Sequence, residues 1–155
     1  GVKAIALPDE RWDKVDIKTT NLIPNILAQT KAEKKFAYTA MLFRDGICTE
    51  GATSNVFAVK DGILYTHPAD NHILKGITRQ MIVTRVAPSL GITLIEKEFD
   101  RAFVDDADEL FFTDTIGGVI PIIKLDKNPV SGGKPGHVTL RLREALEKLM
   151  EEGLP

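Results

Sequence analysis

Three short segments carry residue types that could do chemistry together. Lys18 is an amine predicted near a strand end, just before a helix, where a desolvated lysine could form a Schiff base. Glu50 is a carboxylate among uncharged neighbours, so it could be the buried partner of a protonated ring nitrogen. Gly76-Ile77-Thr78 opens a predicted helix, where N–H groups and the helix dipole bind phosphate. An amine, an acid and a phosphate cradle together suit pyridoxal phosphate, whose aldehyde, ring nitrogen and phosphate need different partners.

Each of these residues also has an ordinary structural explanation. Lys18 could be a solvated surface lysine, and Glu50 could be an acid at a turn or a cap for a nearby N–H group. Thr78 could simply cap a helix after a glycine turn. Position alone does not choose between these explanations.

Residues 113–118 offer a second possible phosphate contact, because Thr115 follows a predicted strand and carries a hydroxyl group. Asp114 beside it is an unfavourable charge for a phosphate neighbour. Its side chain should therefore point away if the phosphate binds here. Arg11 and Trp12 could lie at the rim of the site or at an interface, or could serve packing alone.

Composition excludes several classes of function. The chain has 155 residues, the size of one domain, and a net charge of −2 with no basic block that would indicate a nucleic-acid or membrane partner. No apolar run reaches membrane-spanning length and no signal peptide is visible. A single cysteine, Cys48, excludes an internal disulfide and favours a reducing compartment, so a cytoplasmic location is predicted.

No metal site is predicted. His67 and His72 flank a short loop, but their spacing matches no helical or finger-type pair, and His137 is distant in sequence. The acidic residues at 105–109 lack the spacing of an EF-hand, so a solvated loop is the better interpretation. Cys48 has no evident histidine partner and is predicted to be a core thiol.

The hydrophobic pattern predicts a mixed α+β domain without repeats or linkers. Strands are predicted at residues 2–7, 39–43, 55–59, 63–66, 93–98, 109–113 and 119–125. Helices are predicted at 21–34, from 77 to an end set by Pro88 and Gly91, and at 138–152, with a helical turn at 101–104. Asp61-Gly62 and Asp45-Gly46 predict tight turns, and residues 128–136 predict a loop. The chain reads as a strand from Gly1 without an initiator methionine, which suggests a piece of a longer protein, with processing or a designed sequence as alternatives.

Taken together, these segments resemble the fold-type IV pyridoxal-phosphate enzymes, and most of all their D-amino acid aminotransferases. The resemblance rests on Arg11-Trp12, Asp16-Ile17-Lys18, Thr49-Glu50-Gly51-Ala52-Thr53-Ser54-Asn55-Val56-Phe57, Asp61-Gly62-Ile63-Leu64-Tyr65-Thr66-His67-Pro68 and Ile73-Leu74-Lys75-Gly76-Ile77-Thr78-Arg79. Several motifs in the same order are far more specific than any one of them. The likeness weakens after about Asn128, and residues 114–118 depart from the family forms.

The resemblance implies a role for each site residue. Lys18 matches the lysine that binds the cofactor and then shuttles a proton, and Glu50 matches the acid paired with the pyridine nitrogen. Leu74 matches the residue packed against the ring face. The phosphate-binding positions match Gly76, Ile77, Thr78, Asp114 and Thr115.

The resemblance also implies an architecture and a reaction. It predicts the larger C-terminal domain of the family, a largely antiparallel sheet or barrel flanked by helices. Residues 1–155 would form this single cofactor-binding domain, with a smaller N-terminal domain absent. The implied reaction is amino transfer between a D-amino acid and a 2-oxo acid in a homodimer, the fragment alone being inactive. A branched-chain aminotransferase, an aminodeoxychorismate lyase and a non-catalytic cofactor-binding or dimerisation module remain alternatives.

Overall fold

A computed structural model describes residues 1–153, and within them nine strands form one curled sheet accompanied by helices. The strands are β1 (Val2–Pro8), β2 (Thr39–Arg44), β3 (Ile47–Gly51), β4 (Asn55–Lys60), β5 (Ile63–Thr66), β6 (Leu94–Glu96), β7 (Glu109–Asp114), β8 (Gly118–Leu125) and β9 (Asn128–Pro129). The helices are α1 (Ile23–Glu33), α2 (Ile77–Met81, continued by a π-helical turn at Ile82–Val86 and by Ala87–Ser89), α3 (Arg101–Asp105) and α4 (His137–Glu151). A 3₁₀ turn spans Ser131–Gly133. In residues 1–153 we find no helix with the length and apolar character needed to cross a bilayer.

The sheet has the order β3-β2-β1-β8-β7-β4-β5-β6, and β9 pairs with β8. β1 runs parallel to both β2 and β8, and β5 runs parallel to β6. The other pairs of neighbouring strands are antiparallel. The predicted fold class, a largely antiparallel α+β domain, is therefore confirmed.

Alternating residues of the central strands supply two separate hydrophobic layers. Phe57 of β4 lies opposite Phe111 of β7, and their rings stack with centroids 4.9 Å apart in the layer that α2 and α4 cover. Val56 and Phe112, one position along each strand, belong to the layer on the opposite face. Burial on both faces explains why these strands are almost uniformly apolar, since each fully buried large side chain contributes roughly 1.5–3 kcal/mol.

The two predicted tight turns are confirmed. Asp61 and Gly62 have φ of 52° and 75° between paired residues Lys60 and Ile63. Positive φ at both central residues is typical of a type I′ hairpin, whose twist matches that of the flanking strands. Asp45-Gly46 makes the equivalent turn between β2 and β3.

Three local expectations are wrong. Residues 47–51 form β3, a strand that was not predicted, and this excludes the alternative that Glu50 is an acid at a turn. This strand has no alternating pattern because residues 48–51 are all buried, and pairing with β2 decides its conformation. Lys18 is not near a strand end, because β1 stops at Pro8 and residues 9–22 form a long connection to α1. The predicted loop at 128–136 includes β9 and a 3₁₀ turn.

Candidate active site

A cavity of about 450 Å³ opens where the connection before α1 meets the β3–β4 junction, the start of α2 and the end of β7. It is lined by all eight residues that the sequence singled out: Lys18, Glu50, Leu74, Gly76, Ile77, Thr78, Asp114 and Thr115. These residues come from four separate stretches of the chain. The fold therefore brings every predicted site residue to one surface, while their individual roles stay predictions.

Lys18 lies on the connection of residues 9–22 with its side chain exposed beside the cavity. Val15 anchors this connection, because it is buried and its N–H donates to the carbonyl of Asn71 at 2.9 Å. The exposed side chain of Lys18 thus lies three residues from the buried anchor Val15. A flexible side chain on an anchored backbone can reach a ligand at different stages of a reaction.

Glu50 lies next to the last residue of β3, lines the cavity and is only 5% exposed. Arg11 donates from Nη1 to Oε1. Asn55 donates from Nδ2 to Oε2 at 2.8 Å, and the N–H of Leu74 donates to the same oxygen at 3.0 Å. Both carboxylate oxygens therefore have donors, which fixes the orientation of the group.

Burial raises the pKa of Glu50 to about 7. Removal from water opposes ionisation more strongly than the neighbouring Arg11 charge and the Leu74 N–H favour it, and the negative charge of Asp9 adds to the effect. The acid consequently changes its protonation state near neutral pH. Such a group is suited to hold a proton that it shares with a bound base.

Arg11 is the buried support of Glu50, and Asp9 in turn supports Arg11. Asp9 accepts from Arg11 Nε at 2.8 Å and from Nη2 at 2.7 Å, and also from the Thr49 hydroxyl at 2.9 Å. Burial alone would raise the pKa of Asp9, but bonding to Arg11 outweighs it and lowers the pKa to about 2. Burial works against the charge of Arg11, but the two carboxylates hold its pKa above the ordinary value.

Arg11 was not predicted to have this role, and Asp9 was not predicted to belong to the site. The available signal was an Asp-x-Arg pattern directly after the first predicted strand. That pattern is common on protein surfaces, so only the fold reveals that both side chains are buried.

Helix α2 begins at the cavity wall with close backbone packing. Gly76 is its N-cap residue and provides no side-chain cap, and Gly76, Ile77 and Thr78 all line the cavity. A Cβ at Gly76 would lie 2.3 Å from Asn55 Oδ1, so a larger residue would displace Asn55. Asn55 also donates to the carbonyl of Leu74 at 2.8 Å. The amide of Asn55 thus links Glu50 and Leu74 next to the start of α2.

The end of β7 supplies hydroxyl groups to the cavity wall, and the carboxylate of Asp114 is bonded to backbone N–H groups of the following loop. Thr78 Oγ1 donates to the carbonyl of Asp114 at 2.9 Å. The carboxylate of Asp114 accepts from the N–H groups of Ile116 at 2.9 Å and Gly117 at 2.5 Å, and from Tyr38 at 3.2 Å. The charge of Asp114 is therefore engaged by these donors, as a neighbouring phosphate would require.

Two buried hydroxyls on the cavity wall have no hydrogen-bond partner among the described residues. They are Ser54 Oγ and Thr113 Oγ1. A buried hydroxyl without a partner costs free energy, which a ligand with several acceptor oxygens would recover. With an amine and a buried acid also lining the cavity, this set of groups fits pyridoxal phosphate.

Large apolar side chains are exposed at the rim of the cavity. Ile23 is 65% exposed, Ile77 is 73% exposed and Trp12 is 45% exposed, and all three line it. Apolar surface clustered beside a polar pocket is typical of a contact face.

The remaining candidates have structural roles or belong elsewhere. Cys48 is fully buried, as predicted for a core thiol, and burial raises the pKa of its thiol. Glu109 is buried too, and its carboxylate accepts from the N–H groups of Val138 and Thr139 at the start of α4. His67 and His72 meet around Asp70 outside the cavity, a grouping that the sequence did not predict.

Comparison with known proteins identifies the class to which this site belongs. Residues 2–125 match the model of the class IV amino-transferase family. The chain therefore belongs to the class IV aminotransferases, whose cofactor is pyridoxal phosphate.

Curated relatives with similar sequences include D-alanine aminotransferases. The D-alanine aminotransferase of Staphylococcus aureus (strain COL) is 42% identical over 151 residues, which are 97% of this chain and 53% of the relative. That of Bacillus licheniformis is 40% identical over 147 residues, covering 95% of this chain and 52% of the relative. The chain thus spans about half the length of the curated relatives it matches.

Solved structures show the same fold. A branched-chain aminotransferase of Thermoproteus uzoniensis superimposes with a TM-score of 0.89 at 31% identity, over 96% of this chain and 51% of that one. An aminotransferase of Brucella abortus bound to pyridoxal phosphate superimposes with a TM-score of 0.85 at 26% identity, over 97% and 55%.

Proposed function

We propose that the protein containing this chain transfers an amino group between a D-amino acid such as D-alanine and a 2-oxo acid such as 2-oxoglutarate. The observation that supports the proposal is one cavity whose lining includes both Lys18 and the buried, Arg11-supported Glu50. The D-alanine aminotransferases at 42% identity support the choice of substrate. The whole reaction is assigned to the longer protein, because the chain covers about half of those relatives.

Each wall of the cavity would hold a different part of the cofactor. Ile77, Thr78 and Thr115, with the backbone of Gly76 and Asp114, would bind the phosphate through N–H and hydroxyl donors. When bound, pyridoxal phosphate supplies an electron sink for the negative charge that develops on the substrate α-carbon.

Leu74, Glu50 and Lys18 would serve the ring and the substrate. Leu74 would pack against the ring face, and Glu50 would accept the N–H of the ring nitrogen. Lys18 would bind the cofactor through Nζ and, once displaced by substrate, move the α-proton at the same atom. All three residues line the cavity, so each could contact a bound cofactor.

The charges around Glu50 suit a cationic ring nitrogen. Asp9, Arg11 and ionised Glu50 carry one net negative charge, since Arg11 can balance only one of its two carboxylates. Arg44 approaches Asp9 at 3.5 Å but is also paired with Asp13, so it does not change this balance. A protonated pyridine at Glu50 would make the buried group neutral, which stabilises the protonated form of the ring.

The exposed apolar rim supports a second proposal about the whole protein. A smaller N-terminal domain would cover the cavity and supply the groups that hold the substrate carboxylate, and homodimer formation would bury further apolar surface. Residues 1–155 would then be the cofactor-binding domain and would be inactive alone.

A branched-chain aminotransferase is the second candidate, favoured by the structural match at a TM-score of 0.89. An aminodeoxychorismate lyase or a non-catalytic module would have the same cavity with a different outcome. The first would use Lys18 for elimination, and the second would bind the cofactor without turnover.

Absorption spectroscopy on the full-length protein tests the proposal. Pyridoxal phosphate is added to wild type, to Lys18→Ala and to Lys14→Ala, the matched control on the same connection. We expect a visible cofactor band in wild type and Lys14→Ala, and its loss in Lys18→Ala. A band that is absent from wild type, or that persists in Lys18→Ala, would end the enzyme hypothesis.

Turnover assays then distinguish the candidates. With 2-oxoglutarate as acceptor, we expect D-alanine to react and L-leucine to react poorly. The reverse preference would identify the branched-chain alternative. An unchanged rate in Glu50→Gln would refute the role of Glu50 as partner of the ring nitrogen.

A further inference from the structure

The loop between β5 and α2 gathers two imidazoles and one carboxylate outside the cavity. One nitrogen each of His67 and His72 and one oxygen of Asp70 lie within 4.8 Å of one another. Nδ1 of His67 is 3.8 Å from Asp70 Oδ1, and Nδ1 of His72 is 3.8 Å from Oδ2. Ligands around a tetrahedral zinc ion are separated by about 3.4 Å. One nitrogen of each histidine and one oxygen of Asp70 are near enough for a modest side-chain movement to bring them to this separation around one ion.

Hydrogen bonding prepares His67 to act as a ligand. Its Nδ1 lies 2.9 Å from the carbonyl of Pro68, an acceptor, so Nδ1 carries the proton of this bond. The lone pair of the neutral ring is then on Nε2. A backbone carbonyl that accepts the second N–H is the usual orienting partner of a metal-bound histidine.

The ends of the loop are held in place before any ion binds. Arg79, itself buried, donates from Nη2 to the carbonyl of His67 at 2.7 Å. Arg11 donates to the carbonyl of His72 at 3.2 Å. Asp70 Oδ1 accepts from the N–H of His72 at 2.8 Å, which holds the carboxylate between the two rings. Little ordering is left to oppose binding.

The charge and the access of the group also suit a cation. His67 is 1% exposed, whereas the side chains of Asp70 and His72 are each 34% exposed, so an ion can enter from solvent. Among the described residues, no lysine or arginine forms a salt bridge with Asp70. Two neutral imidazoles and one carboxylate leave a net charge of −1 for a divalent ion.

We propose that His67, Asp70 and His72 form a site for a divalent transition metal, with Zn²⁺ as the preferred ion. Nitrogen and oxygen donors of this kind suit zinc, and three protein ligands leave one position for water or another small ligand. None of the three residues lines the cofactor cavity. The site therefore lies outside the cofactor cavity, although Arg11 contacts both Glu50 and the carbonyl of His72.

Cobalt and zinc titrations test the proposal on the purified full-length protein after removal of metal. Co²⁺ serves as a spectroscopic probe of ligand geometry, and Zn²⁺ is then added in competition. The test variants are His72→Gln and Asp70→Asn, whose partly exposed side chains can be replaced without opening the core. His137→Gln, on an exposed histidine at the start of α4, is the matched control, and circular dichroism verifies the fold of each variant.

We expect one Co²⁺ per chain with visible bands that Zn²⁺ removes, in wild type and in His137→Gln. Loss of one ligand should weaken Zn²⁺ binding at least about tenfold in His72→Gln and Asp70→Asn. Zn²⁺ should also raise the melting temperature of wild type and leave that of His72→Gln unchanged. No binding to wild type, or equal affinity in wild type and the two variants, would overturn the proposal.

Discussion

Replacement of Glu50 by glutamine should change how stability depends on pH. In the folded protein the pKa of Glu50 is raised from 4.5 to about 7 by burial. Between these values the folded state binds a proton that the unfolded state has released, so wild type loses stability as the pH rises. At about 1.4 kcal/mol per pH unit, the loss amounts to roughly 3 kcal/mol. The glutamine side chain of the variant cannot ionise, so the variant should not show this loss.

Urea unfolding without cofactor, at about pH 5 and about pH 8, measures the effect. The free energy of unfolding of Glu50→Gln minus that of wild type should become more positive by about 3 kcal/mol at the higher pH. Glu98→Gln, on an exposed glutamate, is the matched control for the loss of one carboxyl group. An equal difference at both pH values would mean that Arg11 keeps Glu50 ionised throughout, and the assignment of burial as the dominant effect would be wrong.

Three further substitutions have defined outcomes. Gly76→Ala places a Cβ 2.3 Å from Asn55 Oδ1 and should cost about 1–3 kcal/mol and weaken cofactor binding; an unchanged cofactor affinity would count against the role of this packing. Glu109→Ala removes the acceptor of the Val138 and Thr139 N–H groups and should lower the free energy of unfolding by about 1–3 kcal/mol, which chemical denaturation measures. Thr113→Val removes a buried hydroxyl without a partner and should raise the melting temperature of the cofactor-free protein; a decrease would indicate a hydrogen bond that the structure lacks.

Local signals in the sequence predicted the turns, the longer helices and most strands. Asp61-Gly62 and Pro24 act through their own backbone preferences. The turn and the start of α1 can therefore be predicted without knowledge of the fold. β3 was missed because residues 48–51 are all buried, so the strand lacks the alternating pattern of a half-buried strand. Its conformation depends on pairing with β2, which local periodicity does not encode.

The sequence predicted which residues line the cavity, but not the buried Asp9 and Arg11 that hold Glu50 in place. Lys18, Glu50 and the start of α2 carry recognisable motifs, whereas Asp9 and Arg11 become significant only when both are buried against Glu50. The group around Asp70 depends on the course of one loop. His67 and His72 are five positions apart, a spacing that brings side chains together only when the intervening residues turn back on themselves.

The parallel pairing of β1 with β8 has a consequence for how the domain acquires its structure. These strands are far apart in the sequence, since Val2 pairs with Ile122 and a hydrogen bond between Ala6 and Asp126 joins positions 120 residues apart. The hairpins β2–β3 and β4–β5 can form from local contacts, whereas this central pair requires closure of a loop of about 120 residues. During synthesis β1 must therefore wait, with one hydrogen-bonding edge open, until β8 has left the ribosome. Between the synthesis of β1 and that of β8, the exposed strand edge could bind a chaperone or start aggregation.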